Sequence, residues 1–294
     1  MMNTPILIEP KALRATLSDS HLLVVDLSKA AAYAQRHIPG AMHMEYSILN
    51  GGTQPAPGLL PPEERLAQIA GMLKLEKMPR VVAYDDKGSG CAARLAWTLH
   101  YLGYESVQVL NGGLQAWTDE GHPVDDRPVL PDVAATLALA SRNPSVLADH
   151  SYVLRHLEDE SVVLLDARTP EEYAGTKVRA ARGGHIPGAV NLNWLDTIDR
   201  PSSLRLKSPE ILNSALSALG IRPEQEVITY CHSHHRSAHA WLMLKSLGFP
   251  RVRGYAGSWS EWGNHPDTPV TTGTSPCLLF CTPIVPSIPT TAKP

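Results

Sequence analysis

The residues with the clearest capacity for chemistry in this sequence stand together at Cys231-His232-Ser233-His234-His235-Arg236. The thiolate is the reactive form of cysteine. With a free pKa near ~8.5 only a few per cent is ionised at neutral pH, unless a helix start or a cation lowers that value. An apolar, β-rich run, Val227 to Tyr230, precedes the cysteine, and an amphipathic stretch from Ser237 to Leu247 follows it and ends at Gly248. Strand, tight loop and helix in that order set the sulfur at the carboxyl end of a parallel strand. There it faces unpaired N–H groups and the positive end of a helix dipole, a place where α/β sheets bind anions.

Cys231 is therefore the candidate nucleophile, and the N–H groups of residues 232 to 236 are donors aimed at its charge. Arg236 offers a planar fork suited to oxyanions. His234 and His235 add charge where protonated, and His232 and Ser233 complete the wall of a substrate site. Because imidazole titrates near ~6.5, the charge of such a loop is expected to change around neutral pH. Zinc is not expected despite the cluster of histidines with a cysteine. Neighbours on a short loop cannot converge on one tetrahedral centre, and no second ligand pair completes the set. The other cysteines, Cys91, Cys277 and Cys281, read as a packing residue and two members of a proline-flanked tail.

The elements that must position this loop occur twice. The order Leu-Leu-Val-Val-Asp, His-Ile-Pro-Gly-Ala, Val-Val-Ala-Tyr-Asp, Asn-Gly-Gly-Leu-Gln-Ala-Trp in the first half returns as Val-Val-Leu-Leu-Asp, His-Ile-Pro-Gly-Ala, Val-Ile-Thr-Tyr-Cys, Ala-Gly-Ser-Trp-Ser-Glu-Trp in the second. Repetition over so long a period means duplicated domains rather than a solenoid. Short apolar runs (Leu22 to Val25, Val81 to Tyr84, Val162 to Leu165, Val227 to Tyr230) alternate with helix-like stretches. That pattern predicts an α/β fold, each copy a parallel sheet flanked by helices. The domains read as 1–127 and 148–270, with a proline-punctuated connection at 128–147 and a tail at 271–294 that has no periodic pattern and is expected to be disordered.

Composition narrows the function classes. Hydrophobic residues at 43% and charged residues at 19% describe a globular chain, and no run approaches the ~20 apolar residues of a membrane helix. The amino terminus lacks the features of a secretory signal, so a cytoplasmic location is expected. A net charge of -3 without any basic run gives no reason to expect nucleic acid or a membrane surface as partner.

The His-Ile-Pro-Gly-Ala segments at 37–41 and 185–189, the Asp-Ala-Arg at 166–168, the loop 231–236 and the Gly-Ser-Trp-Ser-Glu-Trp at 257–262 together resemble the tandem rhodaneses. The resemblance runs nearly to Val270. It implies two rhodanese-like domains, the first non-catalytic because Asp85 stands where Cys231 stands in the second. It also implies a sulfurtransferase that moves the outer sulfur of thiosulfate to cyanide or a thiol through a persulfide on Cys231, with no cofactor and no metal. Arg168 matches a substrate-binding arginine of the family, and Asp166 is expected to make structural hydrogen bonds.

Four residues, not the five of phosphatases sharing the fold, separate Cys231 from Arg236, which disfavours phosphoryl transfer. Related 3-mercaptopyruvate enzymes carry a neutral glycine-containing loop and a second arginine soon after the Asp-x-Arg. The cationic loop here and the arginine-free Glu171-Glu172-Tyr173-Ala174 favour thiosulfate over that donor. Delivery of the sulfur to a protein partner is the remaining alternative. Rhodanese loops commonly hold a glycine, and none lies between Cys231 and Arg236. Any left-handed position there must fall to another residue such as histidine.

Overall fold

The computed structural model describes residues 5–129, 137 and 142–274, which leaves Cys277 and Cys281 outside the description. The first unit runs β1 (Leu7–Ile8), α1 (Pro10–Arg14), β2 (Leu22–Asp26), α2 (Ala30–Gln35), β3 (Met42–His43), α3 (Glu63–Met72), β4 (Arg80–Tyr84), α4 (Gly90–Tyr101), β5 (Val107–Leu110) and α5 (Gly113–Asp119). The second runs β6 (Leu147–Ala148), α6 (His150–Arg155), β7 (Val162–Asp166), α7 (Pro170–Ala174), β8 (Val190–Asn191), β9 (Ile198–Asp199), β10 (Arg205–Leu206), α8 (Pro209–Ala218), β11 (Glu226–Tyr230), α9 (Arg236–Ser246), β12 (Val252–Tyr255) and α10 (Ser258–Trp262).

The two sheets have the same topology, β1-β5-β4-β2-β3 and β6-β12-β11-β7-β8, and every pairing within them is parallel. This is the duplicated α/β architecture that the sequence predicts. Its central strands read as unbroken apolar runs because helices cover both faces: Val227, Ile228, Thr229 and Tyr230 have no exposed surface. Local signals set the helix starts. At α7, Thr169 and Glu172 form a reciprocal capping box with Pro170 at the first turn.

The repeated His-Ile-Pro-Gly-Ala segments serve structure. His37 and His185 are buried, stack on Tyr33 and Tyr173 at 3.9 and 3.6 Å between ring centroids, and bond through Nδ1 to those tyrosines' carbonyls. Of the stretch read as a tail, Thr271 exchanges two backbone hydrogen bonds with His185, and the Gly273 N–H donates to the Ala174 carbonyl. The rest, from residue 275, lies outside the described residues.

The two units share one core. α4 packs on α9, and a single buried cluster joins Leu95, Trp97 and Leu99 of the first unit to Trp241, Leu242 and Leu244 of the second. This explains the buried run Ser237–Leu244 along α9: its own sheet lies on one side and the other unit on the opposite side. Polar contacts reinforce the junction. The Trp97 indole donates to the Val146 carbonyl at 2.9 Å, and the β9–β10 hairpin reaches the first unit through Ser203 to Asp119 and Arg205 to Glu9. Trp97→Ala should lower the unfolding free energy by about 3–5 kcal/mol, and urea denaturation followed by tryptophan fluorescence measures this. A loss under ~1 kcal/mol would mean that the units are joined chiefly by their polar contacts.

Candidate active site

β11 delivers Cys231 to the mouth of the sheet, where its carbonyl accepts from the Trp259 N–H at 3.0 Å and its own N–H donates to Ser258 Oγ at 3.2 Å. Ser258 adopts φ +52, a left-handed conformation that costs a serine of order 1 kcal/mol, and returns a hydrogen bond that fixes the cysteine backbone. The loop then turns through His234 at φ +53. The left-handed position thus falls to a histidine, as the absence of glycine requires. His234 is buried, its Nδ1 lies 2.7 Å from Ser237 Oγ, and its ring meets Trp97 of the other unit edge-on at 4.4 Å.

The cysteine side chain is 1% exposed, and burial alone would push its thiol up. Arg236, the Ser237 hydroxyl and the N–H groups of Ser237 and Ser233 outweigh that and hold it below the ordinary value. One chain of donors follows from proton counting. Ser237 has a single hydroxyl proton, so giving it to the sulfur requires the neutral His234 to donate from Nδ1 to Ser237 Oγ.

A cavity of about 430 Å³ opens over the sulfur, lined by Cys231, His232, Ser233, His235 and Arg236 together with Tyr46, Arg179 and Trp194. Five of the seven residues picked out from sequence thus meet in one place. Two do not. Arg168 is 2% exposed and forks onto Asp166, with a further bond to the Gly184 carbonyl and its guanidinium over Trp259. These bonds lie inside the protein, so Arg168 is held in a structural ion pair and is not among the residues that line the cavity. Asp166 is its partner, in the structural role expected of it. His234 points behind the loop rather than into the cavity.

The expected charge on the histidines is also corrected. Burial lowers His232, His234 and His235, and for all three the nearby arginines push the same way. The imidazoles are neutral at pH 7, and the positive charge comes from arginine alone.

Sequence reasoning missed four contributors. Tyr46 comes from the first unit, and Trp194 precedes the β9–β10 hairpin. Arg179 arrives on the glycine-rich connection after α7, a half-exposed side chain whose Nε lies 3.0 Å from Glu172. Glu172, 1% exposed, also accepts from both Nη atoms of Arg236 at 2.5 and 3.1 Å. Burial would raise its carboxyl, but Arg236 holds it down at about 2. One carboxylate therefore aims two guanidinium groups at the cavity, and its place as the third residue of the α7 capping box was the available signal.

The first unit repeats the loop without the thiol. Asp85 follows directly on β4 and receives the N–H groups of Lys87 and Ser89 on one oxygen and of Cys91 and Ala92 on the other, at 2.9 to 3.1 Å. Cys91, read as a packing residue, lies half-buried one ring behind the catalytic cavity, with Sγ 3.5 Å from His235 Nε2. Burial pushes its thiol up, and Asp85 and Asp86 push further, so it is no thiolate.

Of the two parallel-sheet units, one sets a depressed thiol in a loop of converging donors and the other fills that loop with its own carboxylate. A profile of the rhodanese-like domain matches residues 9–120 and again 149–265, and the chain belongs to that family. It is 45% identical over 266 residues to a thiosulfate sulfurtransferase of Azotobacter vinelandii, covering 90% of this chain and 97% of that protein. It is 31% identical to the sulfur carrier protein TtuD of Thermus thermophilus, covering 91% and 97%. The crystal structure of YnjE has the same fold, with a TM-score of 0.81 at 23% identity over 91% of this chain and 68% of that one.

The donor chain beneath the sulfur can be tested without any substrate. Ser237→Ala removes a hydrogen bond to a charged group, about 1.5–3 kcal/mol, and so should raise the midpoint of Cys231 alkylation against pH by about 1–2 units. Iodoacetamide labelling read by peptide mass measures it. Because the parent thiol is depressed, alkylation persists to lower pH in the parent and fails there first in the variant.

Proposed function

We propose that the protein is a thiosulfate sulfurtransferase in which Cys231 carries the sulfur. The carrying observation is a buried thiol held below its ordinary value by Arg236 and loop donors, at the floor of a cavity bearing two arginines. The Cys231 thiolate attacks the outer sulfur of thiosulfate, a new S–S bond forms, and sulfite leaves with the electrons of the old one. The persulfide then sits where the loop N–H groups point. Cyanide or a thiol attacks its terminal sulfur and returns Cys231 to the thiolate. No cofactor takes part.

Thiosulfate is the proposed donor over 3-mercaptopyruvate because a dianion gains more from Arg236 and Arg179 than a monoanion does. Neutral His232 and His235 face the same cavity as hydrogen-bonding groups rather than charges. Likeness to a sulfur carrier protein supports a second acceptor class, a protein thiol reached through the open cavity. Among the described residues no helix is long and apolar enough to cross a membrane. A nucleophilic cysteine that must return to the free thiolate after each turnover fits the reducing cytoplasm.

Thiosulfate should add the mass of one sulfur atom to the intact protein, and cyanide should remove it. Cys91→Ser should behave as the parent, and a Cys231→Ser protein that still gains cyanide-labile sulfur would refute the assignment.

Arg236→Ala should lower kcat/KM for thiosulfate by roughly ten- to a hundredfold through loss of a charge-assisted contact. It should also lower the melting temperature, since buried Glu172 is left with Arg179 alone. Adding Glu172→Gln should restore stability but not turnover. Recovery of both would assign the loss to the orphaned carboxylate.

A further inference from the structure

The first unit has no cysteine at its loop, yet it places a cation against the loop of the second. Arg94, on α4, has no exposed surface. One Nη atom donates to the carbonyls of Leu49, Gly58 and Leu59 at 2.9, 2.8 and 3.3 Å. Its Nε and other Nη atom have no partner, and no carboxylate balances it among the described residues. Burying a guanidinium without a counter-ion is unfavourable, so its surroundings must return something. Counting from the strand end, Arg94 stands nine residues after Asp85, where the second unit has Ala240 nine after Cys231. The cation is therefore no shared feature of the duplicated fold.

Its surroundings lead to the sulfur by three routes. The carbonyls it gathers belong to the segment that follows Tyr46, a residue lining the cavity above Cys231. Gly58 of that segment lies so close to the catalytic loop that a Cβ there would collide with the Ser233 carbonyl and stand 2.8 Å from the Ala256 carbonyl. On its other side the guanidinium lies 4.8 Å from the centre of Trp97, whose edge meets His234. Electrostatically, burial draws the guanidinium down to about 10, and the negative charge of an ionised Cys231 opposes that, whereas burial keeps Tyr46 a neutral phenol. It remains a cation at pH 7, and an ionised Cys231 favours that charge.

We propose that Arg94 is a positioning residue of the Cys231 site: a buried cation supplied by the non-catalytic unit, which clamps the 49–59 segment over the catalytic loop and offsets the charge of the thiolate. This rests on Cys231 being the sulfur carrier, but its test needs no sulfur transfer. Arg94→Met replaces an uncompensated charge with an apolar chain, a change that buried sites often tolerate. Arg94→Gln keeps a donor for the carbonyls without the charge, and Arg94→Lys keeps the charge.

Folding of each variant is checked by near-ultraviolet circular dichroism and melting temperature. Cys231 alkylation by iodoacetamide is then followed against pH by peptide mass. Both neutral variants should show the midpoint raised by about 0.5–1 unit, hence alkylation slowed roughly three- to tenfold at pH values below both midpoints, while Arg94→Lys stays within about twofold of the parent. A folded neutral variant with the parent midpoint would overturn the proposal, as would failure of both neutral variants to fold, which would make Arg94 a residue of stability only. Should intact-mass analysis show that sulfur is carried elsewhere, the alkylation result still decides whether Arg94 acts on this thiol.

Discussion

Backbone N–H groups that converge at the turn from strand to helix must be answered by an acceptor, and the molecule shows two answers to the same demand. At Asp85 four N–H groups close on the carboxylate of the residue that follows the strand, and the demand is met within the chain. At Cys231 a single sulfur replaces the carboxylate, and donors from Ser233 and Ser237 meet an acceptor that is weak as a thiol and strong as an anion. The same geometry that makes Asp85 inert favours the ionised form of Cys231. A persulfide moves the negative charge one atom outward, toward the cavity, so the loop serves both the resting and the loaded enzyme.

Such a loop needs rigidity, since donors are useful only where they already point. The second unit does not supply it alone. Its loop contains no glycine, and the left-handed residue is His234, whose place in the first unit is held by Gly88 at φ +93. The strained conformation is kept because the ring is locked between Ser237, Trp97 and the backbone of Gly254, where any Cβ would collide with it. Trp97 belongs to the other unit. A duplicated domain that has lost its thiol is thereby tied into the surviving site through packing.

How far the sequence foretells this depends on whether a property is local. Periodicity and repetition give the duplicated α/β fold, and strand-loop-helix order gives the place of Cys231, because these depend on neighbours in the chain. The consequence of a glycine-free loop was equally legible and fell on His234. What was not legible depends on burial by distant segments. Histidines in a loop read as charges, but Trp97, Tyr46 and Trp194 cover them, and desolvation makes them neutral. Arg168 reads as a substrate ligand by its place after a strand-end aspartate, but whether it turns outward or folds back onto Asp166 is decided by Trp259 and Gly184.

Arg179 shows the same limit from the other side. The helix after the strand-end aspartate contains no arginine, and by that local measure the site has one cation fewer than it possesses. The glycine-rich connection brings Arg179 back beside Glu172, where a Cβ at Gly183 would stand 2.7 Å from the Gly175 carbonyl, so the tight return depends on glycine. Glu172 then balances one charge of the two, leaving a single net positive charge from these three residues, with the two guanidinium groups at the cavity and the carboxylate buried behind them. That balance meets two opposed needs. An unopposed pair of arginines would hold departing sulfite as firmly as arriving thiosulfate, since both are dianions, and tighter binding of ground states alone gives no faster turnover.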